Sequence, residues 1–168
     1  MGMLKAAIRT RLLAAGDDLG SVLRDVNRIV VDLTRPEMFA TLACARVRSD
    51  RTVTYALAGH LPIFHYVAAE RRWTQLENEH LPLGIDADVP FAAASVQAAP
   101  GDLFVFLTDG LVEVMDRERR QFGLRGVERV LASLPVADPE SIDRALIAAA
   151  RSHGTQTDDQ SVLIVRVV

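Results

Sequence analysis

Two acidic positions carry most of the chemistry that this sequence offers. Asp109 follows the run Leu103-Phe104-Val105-Phe106-Leu107-Thr108 and precedes Gly110, while Asp158-Asp159 stands just ahead of the final apolar run, Ser161 to Val168. Carboxylates brought together at strand ends repel, and the usual resolution is a shared proton or a hard divalent cation with oxygen ligands. Gly110 lets the backbone turn away at once and leaves room for a ligand or a metal-bound water to approach. Taken alone, Asp109 reads more readily as a residue that starts a turn or caps the following helix. The second acidic position, far along the chain, shifts the reading toward a cation site.

Other chemistries lack their residues. His60, His65, His80 and His153 are isolated in sequence, so no zinc cluster is predicted and each imidazole is expected to be hydrogen-bonded or exposed. His60, after Gly59 in a loop between strands, is the one placed to project toward a pocket, and it stays outside the catalytic set. The single cysteine, Cys44, lies in the apolar stretch Thr41 to Ala45 and is expected to pack as a small hydrophobe.

The elements that must position the two acidic ends follow from pattern. Leu103 to Leu107 has no polar residue, whereas a strand with one wet face would alternate, so it is expected to be buried on both faces and to leave Asp109 partly desolvated at its end. The closing strand, Ser161 to Val168, is a second candidate for the sheet interior. Upstream, Met3 to Ala15 keeps a helical period until Gly16. Asp17-Asp18 and Ser21 then offer caps for a helix whose apolar stripe is Leu19, Val22, Leu23, Val26, Ile29 and Val30, stopped by Arg35-Pro36. Phe39 to Val47, Thr52 to Ala58 and Ile63 to Val67 read as an antiparallel meander, continued by Arg72 to Leu76 and, after a loop at Leu81 to Ile85, by Phe91 to Ala98. Helices are predicted from Leu124 to Leu134 and from Ser141 to His153, with Asp138-Pro139-Glu140 leading into the second.

At 168 residues and 49% apolar content the chain fits one domain, 1–168, with a core of its own. A net charge of -3 gives no basic footprint, so nucleic acid is not expected as a partner. No apolar segment reaches membrane-spanning length and Met1 to Lys5 opens no signal peptide, so a cytoplasmic protein without a membrane partner is expected.

Six ordered pieces resemble the stage II sporulation protein E-like branch of the protein phosphatase 2C superfamily: Ala58-Gly59-His60-Leu61-Pro62, Leu81-Pro82-Leu83-Gly84-Ile85, Pro100-Gly101-Asp102, Leu107-Thr108-Asp109-Gly110-Leu111-Val112-Glu113, Phe122-Gly123 and Thr157-Asp158-Asp159-Gln160-Ser161. The resemblance implies an α+β fold, a β-sandwich of two antiparallel sheets flanked by helices. It implies hydrolysis of phosphoserine or phosphothreonine on a regulatory protein of the anti-sigma-factor antagonist type, with two divalent cations, Mn²⁺ or Mg²⁺, as cofactors. Asp109 and Asp158 become the catalytic metal ligands, and Gly110 joins the metal site. Two such ions about 4 Å apart activate a water and neutralise phosphoryl oxygens during in-line displacement, so no covalent nucleophile is needed. Asp159, Gln160 and Ser161 could orient Asp158, but exposure or strand pairing explains them equally well, and they are given no catalytic role.

The family also places metal-binding aspartates in N-terminal strands, in segments resembling Gly-Asp-x-x-Asp and Asp-x-Ser-Gly-His-Gly, and this sequence has neither. Asp17-Asp18 does not replace them, since it follows the first helix and lacks their context. The chain is therefore expected to be an N-terminally truncated, C-terminal portion of the family's domain, with an incomplete two-ion site and weak or no activity alone. The reading from another class is a non-catalytic phosphatase-like module that binds a partner or dimerises. Missing strands would bare a sheet edge and apolar surface, so a homodimer or domain-swapped oligomer is expected, through that edge or through the helix Met3 to Ala15.

Overall fold

The computed structural model describes residues 6, 8–11, 18–33, 35, 38–77, 80–134 and 138–168. They fall into two compact units, Met1–Pro62 with Glu77–Gln97, and Ile63–Leu76 with Ala98–Val168. The fold is α+β, with two antiparallel sheets and flanking helices, as expected.

In the first unit, helix α1 (Leu19–Leu33) starts where Asp18, one of the three cap candidates, accepts a hydrogen bond from the Ser21 amide at 3.0 Å. Its stripe of Leu19, Val22, Leu23, Val26 and Val30 is buried against Ala56, Ala58, Leu83, Val89 and Phe91. Asn27 interrupts that apolar face and is fully buried. Its amide donates to the Asp86 carbonyl at 2.7 Å while its oxygen accepts from Gly84 N at 2.9 Å, so a helix side chain holds the loop after Leu83. The unit's sheet has the order β1-β2-β5, with β1 Leu42–Val47, β2 Thr52–Ala58 and β5 Ala94–Gln97. Cys44, half-buried on β1, packs against the core and burial raises its thiol pKa, as fits a small hydrophobe. Residues 6 and 8–11 are helical, whereas the remainder of the expected helix Met3 to Ala15, together with Gly16, Asp17 and Pro36, lies outside the described residues.

The second unit holds the sheet β4-β3-β6-β7, made of β3 Ile63–Val67, β4 Arg72–Leu76, β6 Leu103–Leu107 and β7 Val162–Arg166. Three helices belong to it: α2 Asp109–Val112, α3 Gly123–Ser133 and α4 Pro139–His153. Helix α4 begins as its sequence predicts, with Pro139 in the first turn and Asp138 accepting from Ser141 N at 3.0 Å.

Two expectations need correction. The meander does not exist as one sheet, because β1-β2 and β3-β4 are separate hairpins, β2 pairing onward with β5 and β3 with β6. Between them Gly59 takes a left-handed φ of 58° and its N–H donates to His80 O at 2.9 Å, and Pro62 has no N–H to give, so the link leaves one sheet before the next begins. The closing strand is likewise not interior: among the described residues β7 is one of the two outer strands of its sheet, and Leu163 on it is 60% exposed. Strand β6, by contrast, lies between β3 and β7 with Leu103, Phe104, Val105 and Leu107 buried, as its unbroken apolar run requires.

Candidate metal-binding site

Strand β6 runs out of the core into Thr108, which is still extended (φ -87°, ψ 157°), and Asp109 opens the single turn of α2. Leu111 and Val112 anchor that turn in the interior, and Glu113 N closes it on Asp109 O at 2.9 Å. Pairing of Leu107 with Val162 brings the segment before β7 alongside. Thr108 N donates to Ser161 O at 3.1 Å and Ser161 N returns a bond to the Thr108 hydroxyl at 2.9 Å. That hydroxyl donates in turn to Asp159 O at 3.2 Å, and the Gln160 side-chain amide donates to Gly110 O at 3.1 Å.

The two acidic segments predicted from sequence are therefore neighbours, in backbone contact at Gly110. A Cβ on Gly110 would stand 2.4 Å from Asp159 O and 3.2 Å from Asp158 C. The room this glycine keeps is filled by the Asp158-Asp159 backbone rather than left for an approaching ligand, which corrects the reason given for it. Upstream, the same segment is held at Gly154, where a Cβ would clash with the Met115 carbonyl, and by the bridge between Met115 and Thr155.

Asp109, Asp158 and Asp159 are all exposed. The expected partial desolvation of Asp109 is absent, because the residue lies two positions beyond the buried strand and is itself exposed. Each carboxylate is oriented by the amide that follows it: Gly110 N donates to Asp109 Oδ1 at 3.0 Å, and Asp159 N to Asp158 Oδ1 at 2.7 Å. Asp109 thus starts a turn, as its simpler reading had it, and remains exposed. Two carboxylates and a nearby carbonyl are hard oxygen donors of the kind Mg²⁺ and Mn²⁺ accept. Among the described residues no group of three or more His, Cys, Asp or Glu side chains is placed to hold an ion.

Each histidine has a partner of its own. His60 is half-buried, with Nδ1 donating to Leu61 O at 3.1 Å, and His80 Nε2 accepts from Ala92 N at 3.0 Å. His153 donates to Arg120 O at 2.9 Å. His65 is the one the sequence undersells. It lies buried on β3, 3.0 Å from the equally buried Asp102 and stacked on Phe104 at 4.4 Å between centroids. Its only sequence signal is its place in Ile63-Phe64-His65, beside two residues that are themselves core.

A profile of the family described as Stage II sporulation protein E (SpoIIE) matches residues 1–168. The chain is 33% identical over 114 residues to phosphoserine phosphatase RsbU of Bacillus subtilis (strain 168), an alignment covering 67% of this chain and 34% of that protein. Among solved structures, the SiaA-PP2C domain of Pseudomonas aeruginosa superposes with a TM-score of 0.80 at 21% identity, covering 98% of this chain and 68% of that one. The PP2C phosphatase domain of SpoIIE from Bacillus subtilis, solved with a fragment of its regulatory domain, gives 0.77 at 22% identity, covering 99% of this chain and 48% of that one. The chain thus spans about a third of its curated relative and from about half to two thirds of these solved chains.

Proposed function

This chain belongs to the SpoIIE family, and from that premise we propose that it forms part of a metal-dependent protein-serine/threonine phosphatase in bacterial signalling, with Asp109 and Asp158 as metal ligands and Gly110 beside them. The observation that carries the reading is the backbone contact between Asp109-Gly110 and Asp158-Asp159, which gathers two exposed carboxylates at one end of the β6-β7 pair. The relative RsbU is named a phosphoserine phosphatase, and the substrate proposed here is a phosphorylated regulatory protein of the anti-sigma-factor antagonist type.

When bound, divalent Mn²⁺ or Mg²⁺ supplies charge neutralisation for the phosphoryl oxygens and a lowered pKa for the attacking water. The chain's own contribution is positional. Asp109 and Asp158 present hard anionic oxygens, the amides of Gly110 and Asp159 fix one oxygen of each, and exposure leaves the other open to a phosphoprotein surface. The test is phosphate release from a phosphoserine protein by the full-length protein in Mn²⁺. Asp109→Asn and Asp158→Asn should each drop it to background, and undiminished turnover in both would overturn the assignment.

One observation favours a second reading, a phosphatase-like module that acts by partner binding or dimerisation: the absence, among the described residues, of a group of three metal donors. On either reading this chain alone should release little phosphate. Among the described residues no helix is long and apolar enough to cross a membrane.

A further inference from the structure

We propose that Thr108 is a positioning residue, whose hydroxyl sets the spacing between Asp109 and Asp158; the inference rests on the cation-site reading above. Three observations converge on it. Its hydroxyl both donates to Asp159 O at 3.2 Å and accepts from Ser161 N at 2.9 Å, so one side chain on the Asp109 segment grips the backbone on both sides of Gln160. The grip is answered from the other segment, where the Gln160 amide reaches Gly110 O at 3.1 Å. Gly110 then removes the slack, since its Cβ position is already within 2.4 Å of Asp159 O.

The consequence is geometric. Asp109 follows Thr108 directly and Asp158 precedes Asp159 directly, so each carboxylate is one residue from an atom of this clasp. The last paired rung of the sheet is Leu107 with Val162, and beyond it one backbone bond, Thr108 N to Ser161 O at 3.1 Å, and the clasp keep the two segments in register. A valine at 108 has nearly the shape of threonine but can neither donate nor accept, which frees Asp159 O and Ser161 N to bond water and lets the Asp158 segment drift. A serine keeps both bonds.

Binding of Mn²⁺ to the 168-residue chain, read as loss of the free-ion paramagnetic resonance signal, tests this apart from turnover. Residues that orient metal ligands typically change affinity by 10- to 100-fold, so Thr108→Val should weaken Mn²⁺ binding by about tenfold while Thr108→Ser stays within about threefold of the parent. Over the same series the metal-free melting midpoint of Thr108→Val should fall by no more than about 4 °C, which separates positioning from general stability. Should the valine variant fail to fold, Gln160→Leu removes the answering bond alone and is expected to weaken binding in the same direction. Parent-like affinity in Thr108→Val, with binding lost in Asp158→Asn, would overturn the positioning role and leave the metal site standing. Binding absent from the parent chain, or unchanged in Asp158→Asn, would overturn the metal site and the positioning role together.

Discussion

Asp102 Oδ2 lies 3.0 Å from His65 Nε2, and the same carboxylate takes the amides of Ala99 (3.0 Å) and Ala68 (2.9 Å). One buried acid thereby joins the turn before β6 to the β3-β4 hairpin. Burial alone would raise its pKa, but the Ala68 and Ala99 amides and then His65 bring it below the usual carboxylate value. An acid that holds its proton less tightly when folded than when unfolded favours the folded state above its unfolded pKa of about 3.9, and that contribution is lost as pH falls through the folded value. Urea midpoints of the parent should therefore fall more steeply below about pH 4 than those of Asp102→Asn. Parallel pH profiles would show that this carboxylate is not linked to folding.

Removing the acid altogether is costlier. Asp102→Ala leaves a buried imidazole and two part-buried backbone amides without their acceptor, and each polar group left unsatisfied costs about 1–3 kcal/mol. A loss of about 3 kcal/mol or more is expected in chemical unfolding, with His65→Ala costing less because the two amides keep their acceptor.

Glycine-to-alanine changes at Gly110 and Gly123 separate steric from conformational cost. Gly110 has no space for a Cβ beside Asp159 O at 2.4 Å, so alanine must push two backbones apart, at about 3 kcal/mol. Gly123 has nothing within 4 Å of its Cβ position but a φ of 64°, so alanine there carries only left-handed strain, about 1 kcal/mol. Denaturant midpoints should rank Gly110→Ala below Gly123→Ala, and only the former should weaken Mn²⁺ binding.

The outcome along the chain shows which physics a sequence carries. Strands 52–58, 63–67 and 103–107 fall where read, because each is rich in apolar or β-branched residues and bounded by residues that stop a strand, and 72–76 falls where read as the return of a hairpin after the turn at Ala69-Glu70. Sheet membership was not legible: whether β2 continues to β3 or to β5 depends on pairing across tens of residues, and the local clue was only Gly59 and Pro62. At the site, backbone contact between the Asp109-Gly110 and Asp158-Asp159 segments fits their placement beside two strands, while the grip of Thr108 and the exposure of both acids came from side-chain directions that spacing does not encode. Asn27 and His65 were hidden for a related reason, since a buried polar residue is betrayed only by its partners, Gly84 and Asp86 for one and Asp102 for the other.

Exposure of Asp109 and Asp158 also predicts how the site responds to salt and chelation. Two surface carboxylates repel weakly, and the repulsion is screened over a Debye length of about 10 Å at 0.1 M salt. Chelator should therefore leave the chain folded. Mn²⁺ should raise the melting midpoint by about 2 °C at low ionic strength, less at high, and not at all in Asp109→Asn. A collapse of the fold on chelation would mean that an ion holds the structure together.

Self-association is predicted from the first unit's surface. Ala40 and Leu83 exchange two backbone hydrogen bonds, 2.9 and 2.8 Å, which sets Met38 and Phe39 beside Gly84 and Ile85. Phe39 is 61% exposed and Met38 55%, with Leu81 and Ile85 each about half exposed. Four large apolar side chains around one bridge approach the few hundred Å² at which an exposed patch usually marks a contact surface. At about 25 cal/mol per Å², covering a few hundred Å² is worth several kcal/mol before the roughly 4 kcal/mol or more that association costs is subtracted, so only a weak dimer, populated toward millimolar concentration, is expected. Sedimentation at such concentrations should show a dimer for the parent and a monomer for the double change Phe39→Ser with Ile85→Ser, both folded to the same extent by circular dichroism. Because β7 is also an outer strand with Leu163 exposed, Leu163→Lys is the control: if it abolishes the dimer while the double change leaves it intact, the chains pair through that sheet edge instead.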